Sequence, residues 1–142
     1  PGTPKVVVRS AVFQDGRILL VREAADGAWA MPGGWAEVNE PPSRAAEREV
    51  FEETGYQVRA TRLVYVYDPA EPGRDKRFVH AYTILFLCEL LGGQPTTSIE
   101  TTEVGFFAAD ALPPLSPSRN AAKHVAQAFA ALENPDAPAA FD

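Results

Sequence analysis

Three glutamates fall within five residues of "REVFEETGY": Glu49, Glu52 and Glu53. On a helix, residues three and four apart share a face, so these carboxylates would occupy an arc of about 100°. Carboxylates that converge beside a core repel one another and are costly to bury unpaired. A divalent cation removes that cost. Mg²⁺ is hard, prefers oxygen and is held by a few carboxylates together with substrate phosphates. The competing reading is a solvated acidic face on a good helix-forming segment. Upstream, Gly33 and Gly34 in "MPGGWAEV" would let the backbone approach a metal or phosphate closely.

The elements that must position these groups are legible as punctuation and periodicity. Pro41 and Pro42 precede "SRAAEREVFEET" and Gly55 follows it, which predicts a helix over 42–54. Gly55 can take the left-handed conformation that ends a helix. Ala46 and Val50 lie beside the acidic arc and can pack the helix on a sheet. The runs "KVVVRSAVF" and "ILLVRE" around "QDGR" predict a hairpin. "DGAWAMPGGWAEVNEPP" reads as loop, with a short strand at "WAM". "YQVRATRLVYVYD" reads as one or two strands, and "RFVHAYTILFLCEL" as the longest and most central one. "PAEPGRDK" and "GGQPTTSIETTE" read as loops, and "VGFFA" as a short strand. "NAAKHVAQAFAAL" has helical spacing. The sum is one α/β layered domain with a mixed sheet over residues 1–133, followed by a Pro- and Ala-rich tail, 134–142, expected to fray.

The 142 residues suit one domain, and 46% hydrophobic with 23% charged residues is ordinary for a globular chain. A net charge of −6 argues against a stable nucleic-acid partner, which needs a basic face. It leaves a nucleotide substrate open, because bound cations invert the local field. No apolar run is long enough for a membrane span, and "PGTPKVVVRS" shows no signal-peptide pattern. The single cysteine, Cys88, sits in an apolar run and reads as a buried hydrophobe. These features point to the cytoplasm. No Asp-rich twelve-residue loop supports a calcium module.

From Gly34 to Tyr56 the spacing is Gly34, five residues, Glu40, seven residues, Arg48-Glu49-Val50, one residue, Glu52-Glu53, one residue, Gly55 and Tyr56. This resembles the Nudix box, Gx5Ex7REUxEExGU with U bulky and apolar; Tyr56 is the one soft departure, since an aliphatic residue is commoner there. The flanking hairpin, "PGG" loop and later strands also resemble the family over nearly the whole chain. The resemblance implies an α/β/α sandwich with a mixed sheet and the Nudix loop-helix. It implies a hydrolase that cleaves a nucleoside diphosphate linked to a group X into nucleoside monophosphate and phospho-X. Glu49, Glu52 and Glu53 would then hold Mg²⁺, with Mn²⁺ as the alternative, and a carbonyl near Gly33 would be a further ligand. Glu49 would orient or deprotonate the attacking water. Arg48 would brace Glu40, with Gly34 and Gly55 shaping the box. Many members add an acid from outside the box, for which Glu100 is favoured over Glu103.

"TPKVVVRSAVF", "ILLVRE", "MPGGWAEV", "SIETTEVGFF" and "LPPLSPSRN" further resemble a subgroup of CDP-choline pyrophosphatases and ADP-ribose pyrophosphatase-like proteins. Subgroup members commonly carry a helical extension before the first strand, and it is expected to be absent or removed here. Its loss bears on specificity and on a homodimer. CDP-choline and related CDP-alcohols narrowly lead ADP-ribose as substrate. A nucleotide-binding sensor on the same fold is the alternative, although such proteins usually carry a degraded box.

Candidate base-stacking residues are Trp29, Trp35, Tyr65, Tyr67 and Phe78, against a packing role for each. Arg9 and Arg22 are candidates for phosphate or for a solvated face. His80 and His124 read as structural, because neither has a partner at metal-ligand spacing. Ser116 and Arg119 match the subgroup without an assigned role.

Overall fold

The computed structural model describes residues 2–69 and 80–142. Strands β1 (Lys5–Gln14) and β2 (Arg17–Glu23) pair antiparallel around Asp15 and Gly16. Both turn residues have positive φ, 52° and 75°, as a tight two-residue hairpin requires. β3 (Trp29–Ala30) and β4 (Gly33–Trp35) follow, then helix α1 (Pro42–Thr54). β5 (Tyr56–Tyr67) and β6 (Ala81–Gly93) are the long strands; β7 (Thr101–Phe107), α2 (Ala121–Glu133) and β8 (Ala140–Phe141) complete the chain. The sheet order is β3-β2-β1-β6-β5-β8, with β4 added to β1 and β7 to β2. β1 runs parallel to β6 and β8 parallel to β5, whereas the other pairs are antiparallel, so the sheet is mixed.

Neighbouring side chains along a strand point to opposite faces, and the core divides accordingly. Ala11, Ile18, Leu20 and Leu85 pack with Val125 and Ala128 of α2. Val12, Leu19, Val58 and Cys88 pack with Val50 of α1. The helices therefore cover opposite faces in an α/β/α sandwich. Burial on both faces explains why β1 and β2 read as near-continuous apolar runs. Burial pushes the Cys88 thiol up to about 12, in keeping with an inert core residue.

The structure departs from the sequence reading in several places; the central strand read over 77–90 leaves out His80 and runs on to Gly93. Gly33–Trp35, read as loop, is a strand. A Cβ on Gly33 would lie 2.1 Å from the Val8 carbonyl oxygen, so glycine there permits close strand approach. The strand read at "VGFFA" begins three residues earlier, because Thr101 and Glu103 continue the pairing with β2. The tail read as frayed is tied down. Arg62 donates to the carbonyls of Ala131, Asn134 and Ala137, and Ala140 and Phe141 pair with Tyr65 and Val66. The Asp68 N–H donates to the Asp142 carboxylate. No helix among the described residues is long and apolar enough to cross a membrane.

Candidate active site

Helix α1 is set down on the sheet by Ala45, Ala46 and Val50, all fully buried. Gly55, at φ 80°, ends it and donates to the Phe51 carbonyl. A Cβ on Gly55 would lie 2.1 Å from the Gln94 carbonyl oxygen, so glycine also lets the next loop cross the helix end. That loop is fastened there by the Thr96 N–H to the Thr54 carbonyl at 2.8 Å and the Thr101 hydroxyl to the Glu53 carbonyl at 3.0 Å. It delivers Glu100 to a cleft of about 650 Å³ whose walls include Glu23, Gly33, Gly34, Glu49, Glu53 and Arg119. Glu52 and Glu100 also meet along an adjoining groove with Glu49 and Glu53.

Arg48 is the hub beside the cleft. Its Nε and Nη2 hold both oxygens of Glu40, at 2.7 and 3.0 Å. The Nη1 reaches Glu49 at 2.9 Å and Glu52 at 3.1 Å, and Nη2 also reaches the Trp35 carbonyl at 3.1 Å. One planar guanidinium thus ties the loop before α1 to the helix. It also sets a positive charge between two of the three clustered glutamates. Among the described residues, no three His, Cys, Asp or Glu side chains are already arranged to hold a metal ion. The reason is visible in the bonds: Arg48 draws on Glu49 and Glu52, whereas Glu53 Oε2 accepts the Gly33 N–H at 2.8 Å.

The electrostatics still favour an added cation. Burial, then the neighbouring Glu49 carboxylate, push the Glu53 carboxyl up to about 8, against the opposing pull of Arg9 and the Gly33 N–H. Burial raises Glu49 too, and outweighs its bond to Arg48. Two partly buried acids held above their ordinary range form a site short of positive charge. Gly34 keeps the space beside them open: a Cβ there would lie 2.8 Å from the Glu49 carboxylate. Carboxylate oxygens with this deficit are a donor set that fits a hard divalent cation.

The other candidates divide. Glu103 is bound to Arg22 at 2.9 Å, and Arg22 also donates to the Gly27 carbonyl, so this pair is occupied across β2 and β7. Trp29 is buried edge-on against Phe107 in the core, whereas Trp35 is half exposed on the cleft wall. Tyr65 and Tyr67 stack edge-on, and Lys123 lies 4.1 Å above the Tyr67 ring. Tyr67, Arg9, Arg119 and His124 line a second chamber of about 310 Å³. Phe78 falls outside the described residues. His124 is buried, hydrogen-bonded to the Tyr67 hydroxyl, and pushed down to about 4 by burial. His80 contacts Asp68 at 2.9 Å. Ser116 and Ser118 donate to Asp26, which also accepts the Ala28 N–H. This latch holds the segment leading to Arg119 against the β2–β3 turn. Glu23, at the end of β2, was not singled out by motif or spacing, yet it is buried in the wall of the main cleft. Its position at a strand end just before the glycine loop was the one available signal.

Comparison with known proteins agrees with this architecture. The NUDIX domain profile matches residues 3–129. A Bacillus subtilis (strain 168) protein, provisionally named ADP-ribose pyrophosphatase YjhB, is 41% identical over 140 residues, covering 99% of this chain and 67% of its own length. A crystal structure of an ADP-ribose pyrophosphatase from Streptococcus suis 89-1591 superposes with a TM-score of 0.84 at 36% identity, covering 99% of this chain and all of that one. A UDP-X diphosphatase superposes with a TM-score of 0.86 at 30% identity over the whole of this chain and 68% of that one. The fold and the box define a hydrolase of the diphosphate bond, and the chain belongs to the Nudix family.

Proposed function

We infer that the protein is a Mg²⁺-dependent pyrophosphohydrolase that cleaves a nucleoside diphosphate linked to X into nucleoside monophosphate and phospho-X. The observation that carries this reading is the cleft itself. Glu49 and Glu53 face a glycine-lined space while burial holds both acids above their ordinary range. The names of the relatives move ADP-ribose ahead of the CDP-alcohols as first substrate. UDP-linked substrates are also worth testing.

Glu49, Glu52 and Glu53 would hold the cation, with a carbonyl near Gly33 and Glu100 contributing from the facing loops. Bound Mg²⁺ supplies charge neutralisation at phosphate oxygens and lowers the pKa of a coordinated water. The chain's own residues do the rest. Glu49 orients the attacking water or takes its proton. Arg48 holds the glutamates and the loop of Trp35 in one frame through Glu40. Arg119, in the cleft wall, offers the substrate a positive charge. Trp35 offers an aromatic face at the rim.

The test is a panel of ADP-ribose, CDP-choline, UDP-sugars, diadenosine polyphosphates and nucleoside triphosphates with Mg²⁺, read by ³¹P NMR. Nucleoside monophosphate plus phospho-X, lost with EDTA and with Glu52→Gln, supports the reading. Tight nucleotide binding without turnover of any compound would replace it with a sensor.

A further inference from the structure

Glu23 stands apart from the box acids. It sits at the end of β2, on the wall facing α1, and only 6% of it is exposed. Its side chain lines the cleft shared by Glu49, Glu53 and Glu100. Among the described residues its carboxylate takes part in no hydrogen bond or ion pair; only its backbone is engaged, the N–H donating to the Ala28 carbonyl. It is close enough to raise Glu53 and to act on Arg9. The fold thus places a mostly buried residue whose acceptor-only carboxylate opens on the cleft, with no hydrogen-bond donor among the described residues, where a polyanionic substrate must enter. A carboxylate in that position gains a partner when the site fills with a donor and meets repulsion when it fills with an anion.

We propose that Glu23 sets substrate choice by charge, favouring diphosphates that end in a neutral, hydroxyl-bearing or cationic group over nucleotides that bring a third phosphate. The proposal rests on the hydrolase reading and deepens it. The cleft walls carry the carboxylates of Glu23, Glu37, Glu49, Glu53 and Glu100 against the single guanidinium of Arg119. Cations bound by the box glutamates offset a diphosphate. A further phosphate directed toward β2 meets the Glu23 carboxylate in a half-enclosed site, where like charges repel more strongly than in water. A sugar hydroxyl or an ammonium group in the same place instead gives that carboxylate the donor it lacks.

The test compares the ratio of kcat/KM for ADP-ribose to that for ATP in the wild type, Glu23→Gln and Glu23→Asp. Glu23→Gln keeps the shape and removes the charge, and should lower the ratio by about tenfold, with ATP gaining on ADP-ribose. Glu23→Asp keeps the charge and should retain the wild-type preference. Raising the salt concentration should narrow the gap between wild type and Glu23→Gln, since charge repulsion is screened. A ratio unchanged within about twofold in a folded Glu23→Gln protein overturns the proposal. If the wild type turns over neither compound, the hydrolase reading is decided separately on the full substrate panel. The same ratio is then read from equilibrium binding of ADP-ribose and ATP to the three proteins, and an unchanged binding ratio overturns the role of Glu23.

Discussion

Two helices of 13 residues cover opposite faces of one sheet, and each buries one ionisable group. On α2 it is His124, on α1 it is Glu53, and burial drives both toward the neutral form. The resemblance ends there. His124 has the Tyr67 hydroxyl as partner and is packed beside Val125 and Ala128. Glu53 has a single backbone N–H, a second acid beside it, and an open glycine-lined cleft in front. On the α2 side the His124 Nε2 meets the Tyr67 hydroxyl, whereas its Nδ1 is buried with no hydrogen-bond partner among the described residues, and the charges near it are the cations Arg9 and Lys123. On the α1 side a buried carboxyl is left short of positive charge. The lesson is that burial alone does not mark a site; a second acid beside the buried one, facing a glycine-lined cleft, does.

The largest expected effect on this contrast is catalytic. Glu49→Gln or Glu53→Gln should lower kcat by about 10²–10⁴. Glu53→Gln should also raise the melting temperature of the metal-free protein at pH 8, because it removes the uncompensated charge. Loss of both activity and stability would instead make Glu53 an ordinary structural residue.

Next come two changes to the frame around the acids. Gly33→Ala places a methyl against the Val8 carbonyl and should cost about 1–3 kcal/mol in urea denaturation. Arg48→Met strips Glu40 of both guanidinium bonds. The side chain is 24% exposed, so the expected loss is similar, about 1–3 kcal/mol. A neutral outcome for Arg48→Met would mean that the hub does not brace the loop.

The pH dependence separates the two faces by sign. Glu53 binds its proton more tightly in the folded protein than in the unfolded chain. In the absence of divalent cations, its contribution to stability is therefore lost as pH rises from about 4.5 to about 8. His124 is the reverse: its contribution is lost as pH falls from about 6.5 to about 4. Melting temperatures across this range should fall toward both ends. Mg²⁺ should flatten only the alkaline limb, and flattening of both limbs or neither would break the distinction. The smallest effect belongs to Glu100, where Glu100→Gln should slow turnover by about tenfold. An unchanged rate and metal dependence would remove it from the site.

Helix α1 was legible to the residue because proline and glycine mark its ends, and the acidic face follows from spacing alone. The hairpin was legible from Asp15-Gly16 and its flanking runs. What escaped is set by distant contacts. β4 is held by backbone pairing to β1 through glycines that read as loop. The tail is ordered by Arg62, more than seventy residues away along the chain from Asn134 and Ala137. Glu23 carries no motif; only the closing of β7 and α1 around the end of β2 makes it a cleft residue. Glu100 was favoured over Glu103 from its place in the loop; the Arg22 partner that occupies Glu103 is a contact no local pattern reveals.

The most direct measurement is a product analysis of ADP-ribose incubated with the purified protein and Mg²⁺, with Glu49→Gln and EDTA controls. The account predicts AMP and ribose 5-phosphate in equal amounts from the wild type and neither product from the controls. ADP-ribose that binds and is recovered intact, or products that persist in Glu49→Gln, would contradict it.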